Sequence, residues 1–145
     1  RRINDNMSNF IFENIVSMLS RKGVNPLKTD IGILGLTFKE DCSDLRNTKV
    51  INIIQLLENH NYNIEVSDYE ADKSQVKKMF NINLIDKKDI ENKDVLILAV
   101  AHKEYWNLSS DEIIKMLKPN GLLIDIKSIF PKDYFSKREI QHWRL

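Results

Sequence analysis

Apolar positions along the chain recur first at helical spacing and then in short unbroken runs, and the alternation of the two predicts its elements. Within residues 3–22, Ile3, Met7, Phe10, Ile11, Ile15, Met18 and Leu19 follow steps of four, three and one, and Gly23 supplies a stop. Phe12 and Val16 fall off that stripe, so the spacing predicts a long helix wetted on less than half of its surface. Residues 24–29, with Pro26, read as a connector. Ile31, Ile33, Leu34 and Leu36 then form a short strand broken by Gly32 and Gly35, followed by a charged loop of Lys39, Glu40, Asp41, Asp44 and Arg46. Asn47-Thr48 is the expected cap of a helix over 48–59 that is apolar nearly all round.

The same alternation continues. A polar stop at residues 60–63 leads to a strand over 64–66 that ends at Ser67-Asp68-Tyr69, and residues 71–80 read as a helix with a basic outer face. Residues 82–85 are expected to form a short edge strand, and 86–92 a single helical turn. The strand over 95–101 is continuously apolar, as a strand covered on both faces should be. It delivers His102 at its carboxyl end. Ser109 or Ser110 caps a helix through 117 that stops at Pro119-Asn120-Gly121; residues 122–125 form another buried strand, which delivers Lys127. The tail holds Pro131, Phe130, Phe135 and an amphipathic ending over 140–145. Helices and strands alternate with connections long enough for right-handed crossovers. The predicted fold is α/β: a single doubly wound, Rossmann-like parallel sheet with helices on both faces, preceded by the long N-terminal helix.

Composition constrains the partners more than the fold. The chain has 145 residues, enough to bury a sizeable core, and its 42% hydrophobic and 30% charged content suits a globular protein. A net charge of +1 offers no bulk electrostatic case for nucleic acid or membrane. No apolar run approaches the ~20 residues that span a bilayer. The lone cysteine, Cys42, excludes an internal disulfide and fits a reducing, cytoplasmic setting. No His, Cys and Asp cluster has metal-ligand spacing. The chain begins at Arg1 rather than Met, so a fragment or processed product is expected.

Candidate chemistry follows from the architecture. Loops after successive parallel strands share one edge of the sheet, so Lys39, Arg46, Asp68, His102 and Lys127 are expected to converge there. Three of these are permanent cations, which suits an anion, phosphate above all. Asp68 reads either as a partner of a ribose hydroxyl or, with better support, as a residue that begins a turn. His102 reads as a contact to a nucleobase or ribose or, better, as a hydrogen-bonded structural histidine. On composition alone Lys39 is a solvated lysine and Arg46 a partner of Asp41 or Asp44. Trp106 and Trp143 are most simply packing residues.

The stretch GLTFKEDCSDLRNTKV resembles the G-x-[ST]-F-K-x-x-x-x-D-x-R segment in the carboxyl-terminal domain of the UDP-glucose/GDP-mannose dehydrogenase family. RRINDNM is similar to the start of that family's helix leading out of its central domain, AVAHKEY and IDIKSIF to two later strand ends, and HWRL to tails in the UDP-N-acetylhexosamine branch. The resemblance implies a UDP-binding domain of an enzyme that oxidises the C6 alcohol of a UDP-sugar to a carboxylate in two hydride transfers to NAD, for capsule or O-antigen polysaccharides. It implies that residues 1–23 are a linker helix and 24–145 the UDP-sugar-binding domain. Phe38, Lys39 and Lys127 would contact the UDP-sugar, and Arg46 would reach the NAD held mainly by an upstream domain. Lys127 stands in Asp-Ile-Lys where the UDP-glucose branch carries Asp-Gly-Arg, so the charge is kept and the bidentate fork is lost. The family's nucleophilic cysteine belongs to the central domain, which leaves Cys42 a residue of the ligand loop. The chain alone is expected to be inactive, and the full-length enzyme to be a homodimer. The competing expectation is a free-standing, flavodoxin-like nucleotide-binding or interaction module without catalysis.

Overall fold

In the computed structural model, which describes residues 3–145, the apolar runs pair side by side in one sheet. Its strands are β1 (Asp30–Leu34), β2 (Asn63–Ser67), β3 (Lys93–Leu98), β4 (Leu117–Asp125) and β5 (Ile140–Arg144). They lie in the order β2-β1-β3-β4-β5, with every neighbouring pair parallel. Side chains alternate between faces along a strand, so an unbroken apolar run feeds two cores. Ile31, Ile33, Val95, Ile97, Leu122 and Ile124 enter one of them, while Leu34, Leu96, Leu98 and Leu123 enter the other. The expected doubly wound, Rossmann-like architecture is what these residues build.

The first core is closed by α1 (Asp5–Arg21), through Ile11, Ile15 and Leu19, and by α2 (Val50–Asn59), through Val50, Ile53, Ile54 and Leu57. Val76 of α3 (Lys73–Phe80) joins the same cluster. The second core is closed by Tyr105 of α4 (Lys103–Trp106), Ile113 of α5 (Ser110–Lys115), and Ile129, Phe130 and Phe135 from the turns after β4. Local signals set the helix starts. Asn4 Oδ1 accepts from the Met7 N–H at 3.0 Å, Asp72 accepts from Gln75 at 3.0 Å, and Ser109 with Glu112 forms a capping box. No helix among the described residues is long and apolar enough to cross a membrane.

Four expectations need correction. Phe10, placed on the buried stripe of α1, is 50% exposed and leans on Trp143 with ring centroids 6.2 Å apart, whereas Phe12 and Val16 pack partly against the core. Residues 82–85 form no strand; one bond, Ile85 N–H to the Val66 carbonyl at 2.9 Å, ties them to β2. Pro119-Asn120-Gly121 does not separate a helix from a strand. β4 starts at Leu117 and runs through them, with a register shift between Lys93↔Leu117 and Val95↔Leu122 that leaves residues 118–121 an irregularity beside β3, Pro119 and Asn120 exposed and Gly121 paired with Ile140 of β5. Finally, the amphipathic ending is an edge strand, β5, reached without a crossover helix through turns over 126–139.

Asp125, at the end of β4, organises that helix-free crossover. Its fully buried carboxylate accepts from the Ile129 and Phe130 N–H groups, both at 3.0 Å, and lies 3.0 Å from His142 Nε2 on β5. Asp125→Ala would leave three buried donors unmatched, at an expected cost of about 2–3 kcal/mol. Urea unfolding measures this, together with faster amide exchange in β5 than in β1. An unchanged midpoint would show that the turns hold β5 without it.

Candidate functional site

The chain leaves β1 toward β2 on one side and leaves β3 toward β4 on the other, so the loops diverge above the boundary between β1 and β3. In an open parallel sheet that divergence opens a crevice at the carboxyl ends of the strands. Here residues 37–39 after β1, 47–50 at the start of α2, Ala99 and Val100 after β3, and Lys127 after β4 line a cleft of about 310 Å³, counting space open to solvent. Ile3 lines it as well. Lys39, Lys49 and Lys127 all border this cleft, with Lys49 Nζ 3.3 Å from Asp5 Oδ1. The amino end of α2 also opens here, where backbone N–H groups favour an anion.

The loop bearing Phe38 and Lys39 is built to hold a shape. Leu36 and Leu45 are anchored in the core at 0% and 3% exposure. Across the loop's neck the Phe38 N–H donates to the Asp44 carbonyl at 2.8 Å. The expected cap at Asn47-Thr48 is only partly met: the Thr48 hydroxyl accepts weakly from Val50 N–H at 3.3 Å, and itself donates to the Leu36 carbonyl at 2.6 Å. Thr48 therefore ties the start of α2 to the end of the β1 segment.

Beneath the loop lies a polar knot. Asp68 Oδ2 accepts from the Leu36 and Thr37 N–H groups at 2.6 and 3.2 Å, and Oδ1 from Glu70 and Ala71 at 2.7 and 2.8 Å. His102 Nε2 sits 3.0 Å from Asp68 Oδ2 and 3.2 Å from Thr37 Oγ1, while Nδ1 accepts from the Asp41 N–H at 3.0 Å. Both side chains are fully enclosed. Burial opposes charge on each of them. The hydrogen bond and attraction between them outweigh it, so Asp68 lies below the ordinary carboxylate range and His102 above the ordinary imidazole value. Burial likewise pushes the Tyr105 phenol up, and its oxygen accepts from the Tyr69 N–H at 3.2 Å.

The five residues expected to converge therefore divide into three sets. Lys39 and Lys127, with Phe38, border the first cleft. Asp68 and His102 lie under the loop with no surface to offer a ribose or nucleobase, which settles both in favour of the structural reading. Arg46 is 81% exposed on the loop's other flank, where its Nε and Nη2 hold the Asp44 carboxylate, each at 3.1 Å. That hydrogen bonding draws Asp44 below its ordinary pKa, with Lys39 adding to the attraction, so Lys39 and Arg46 act on one carboxylate at the same edge of the sheet.

A second, more open cleft of about 1050 Å³, again counting open space, lies on that flank between residues 42–46 and the Gln75, Lys78 and Met79 side of α3. Cys42 is half-buried there, its Sγ accepting from the Asp44 N–H at 3.4 Å. Trp106, expected to pack, is 56% exposed and fixed through its Nε1 donating to the Ala101 carbonyl at 3.1 Å. Lys49 was not singled out by sequence, although a lysine directly at a helix start after an anion-suited loop was a readable signal.

Residues 32–132 match the model of the UDP-glucose/GDP-mannose dehydrogenase family, UDP binding domain. The chain is 43% identical over 145 residues to protein CapL of Staphylococcus aureus, covering all of this chain and 34% of that protein. It is 31% identical over 133 residues to the UDP-N-acetyl-D-glucosamine 6-dehydrogenase of Salmonella typhi, covering 92% of this chain and 31% of that one. In fold it is similar to an NDP-N-acetyl-D-galactosaminuronic acid dehydrogenase from Methanosarcina mazei Go1, with a TM-score of 0.78 at 21% identity over 97% of this chain and 29% of that structure. The chain thus spans about a third of the length of the relatives it matches.

Proposed function

Because the chain belongs to the UDP-glucose/GDP-mannose dehydrogenase family, matching its UDP binding domain, we propose that it serves as the carboxyl-terminal, UDP-binding part of a longer NAD-dependent enzyme. That enzyme oxidises the C6 alcohol of a UDP-sugar to a uronate in the cytoplasm, for a surface polysaccharide. The observation that carries this reading is the cleft where Lys39, Lys49 and Lys127 meet the amino end of α2. Point charges and helix N–H groups are the complement of a diphosphate. Phe38, half-buried at the same cleft, supplies an apolar surface for the nucleoside or sugar. An N-acetylhexosamine is the proposed sugar, following the named activity of the Salmonella typhi relative.

NAD accepts the hydride in this scheme and is held by another domain of the enzyme. Arg46 suits a supporting contact to it, since its guanidinium stands outward on the loop's far flank rather than in the lysine-lined cleft. Residues 1–23 would be the linker helix from a preceding domain, residues 24–145 the nucleotide-sugar-binding unit, and the whole enzyme a homodimer. The 145-residue chain by itself would transfer no hydride, and turnover by it would overturn this division of labour.

In the full-length enzyme, Lys39→Ala is expected to raise the Michaelis constant for the UDP-sugar by the worth of one charge-assisted contact, about 1.5–3 kcal/mol. The Michaelis constant for NAD should stay near that of the parent. If steady-state kinetics show the UDP-sugar constant unchanged, Lys39 does not touch the substrate.

A further inference from the structure

We propose that His102 is a positioning residue for the Lys39 turn, holding it closed through a bare Nδ1 and releasing it when that nitrogen takes up a proton. The consequence for ligand rests on the reading that Lys39 contacts the UDP part of the substrate. The latch itself rests only on the geometry of the turn.

The hydrogen bonds around His102 fix its form. The Asp41 backbone N–H can only donate, so the Nδ1 facing it at 3.0 Å must be unprotonated. The Asp68 carboxylate can only accept, so Nε2 carries the proton, shared between Asp68 Oδ2 and Thr37 Oγ1. Thr37 in turn sends its hydroxyl proton to the Lys39 carbonyl at 3.0 Å. One imidazole thus reaches both sides of the turn, at Thr37 directly and at Asp41 directly, with Lys39 between them. The turn needs such support: Asp41 is in the left-handed region at φ 55, and its side chain is held separately by the Lys103 N–H at 2.7 Å.

A second proton on the ring would place two N–H groups against each other where one bond had been. The same proton would strengthen the pairing with Asp68, so one event loosens the turn at Asp41 while tightening the knot beneath Leu36. The surroundings admit that proton. Asp68 and Glu70 after β2, and Glu104 on α4, all favour the imidazolium, against the cost of burial. Glu104 Oε2 is buried without a hydrogen-bond partner, Tyr105 lays its ring 5.6 Å from the imidazole, and Asp41 adds a carboxylate from the turn itself. Lys39 and Lys103 are the nearby cations in sequence on these two segments. Release is therefore expected within reach of neutral pH, with the sheet intact.

The test uses the 145-residue chain, followed by ¹⁵N resonances of the His102 ring, amide protection factors, and UDP affinity by calorimetry from about pH 8 to about pH 5.5. At the upper end Nδ1 should be bare. As the ring titrates, Asp41 protection and UDP affinity should each fall about tenfold, the size of one hydrogen bond, while Leu36 stays protected. His102→Asn, whose amide oxygen replaces Nδ1 and cannot titrate, should keep Asp41 protected throughout. Its UDP profile should show only the pH dependence of UDP itself. His102→Gln, which keeps the far donor and loses the near acceptor, should leave Asp41 unprotected at every pH. A proton on Nδ1 at about pH 8, Asp41 protection that ignores pH, or an Asn variant as pH-sensitive as the parent would each overturn the latch. If the parent binds no UDP but its ring and Asp41 amide behave as described, the latch stands and the nucleotide reading of the cleft fails. The ring titration and the Asn variant decide the matter even if the Gln variant does not fold.

Discussion

Asp68→Ala is expected to lower the free energy of unfolding by about 3–5 kcal/mol, the cost of breaking a buried pair from one side. The carboxylate accepts four backbone N–H groups, two that start the Lys39 loop and two that start the turn into α3, as well as His102. Alanine leaves those donors unmatched where the side chain it replaces is fully buried. The effect has a pH signature. Because the folded pKa of Asp68 is lowered, its contribution is full above the unfolded value of about 3.9 and is lost as pH falls through the folded one. Because that of His102 is raised, its contribution is full below about 6.5 and is lost as pH rises through the folded value. The gap between parent and variant should thus be widest from about pH 4 to about pH 6.5 and narrower on either side. Denaturant unfolding across that range measures it. A loss under about 1 kcal/mol at every pH would mean that the loop is held by Leu36 and Leu45 alone.

Gly35→Ala is expected to cost about 2–6 kcal/mol, combining backbone strain with overpacking. Gly35 has φ +101, a conformation closed to alanine, and a β-carbon there would lie 2.6 Å from the Val100 backbone nitrogen. The two segments pass this close because β1 and β3 are paired up to Leu34↔Leu98 and the Ala99 N–H donates to the Leu34 carbonyl at 2.9 Å; Val100 then borders the lysine-lined cleft. Relief would need β3 to move away from β1, and Val100 with it, so UDP binding should weaken along with stability. Unfolding midpoints and calorimetry on the folded variant check both. Parent-like stability would show that the two strand ends can part freely.

How legible each feature was depends on the range of the interaction behind it. β3 was readable because a strand covered on both faces is apolar without a break, and β1 because a short apolar run interrupted only by glycines leads into a polar loop, patterns that need no partner to be recognised. β5 was not, since the apolar residues Ile140, Trp143 and Leu145 are spaced by three and then two, a pattern that a short helix or tail also permits. Pro119-Asn120-Gly121 did mark a disturbance, but whether it ended a helix or bulged from a strand depended on β3 lying alongside. The residues Phe38, Lys39, Arg46 and Lys127 were legible through a motif of fixed spacing. Their grouping into one lysine-lined cleft and one separate arginine flank was not, and neither was Lys49, whose place is set by how α2 docks.

The linear order of residues was enough to establish alternating helices and strands, a parallel sheet and a positively charged carboxyl edge. These follow from side-chain period and from sterics within a few residues. Only the folded arrangement decided that Asp68 and His102 serve the loop rather than a ligand, that Asp125 closes a helix-free crossover, and which cations share a cleft. The last depends on how α2 and the strand-end loops come together, and the first two on hydrogen bonds that reach 65 and 17 positions along the chain. Such a bond has no signature in either partner's neighbourhood, because a carboxylate that starts a turn and one that pins two loops are spelled alike.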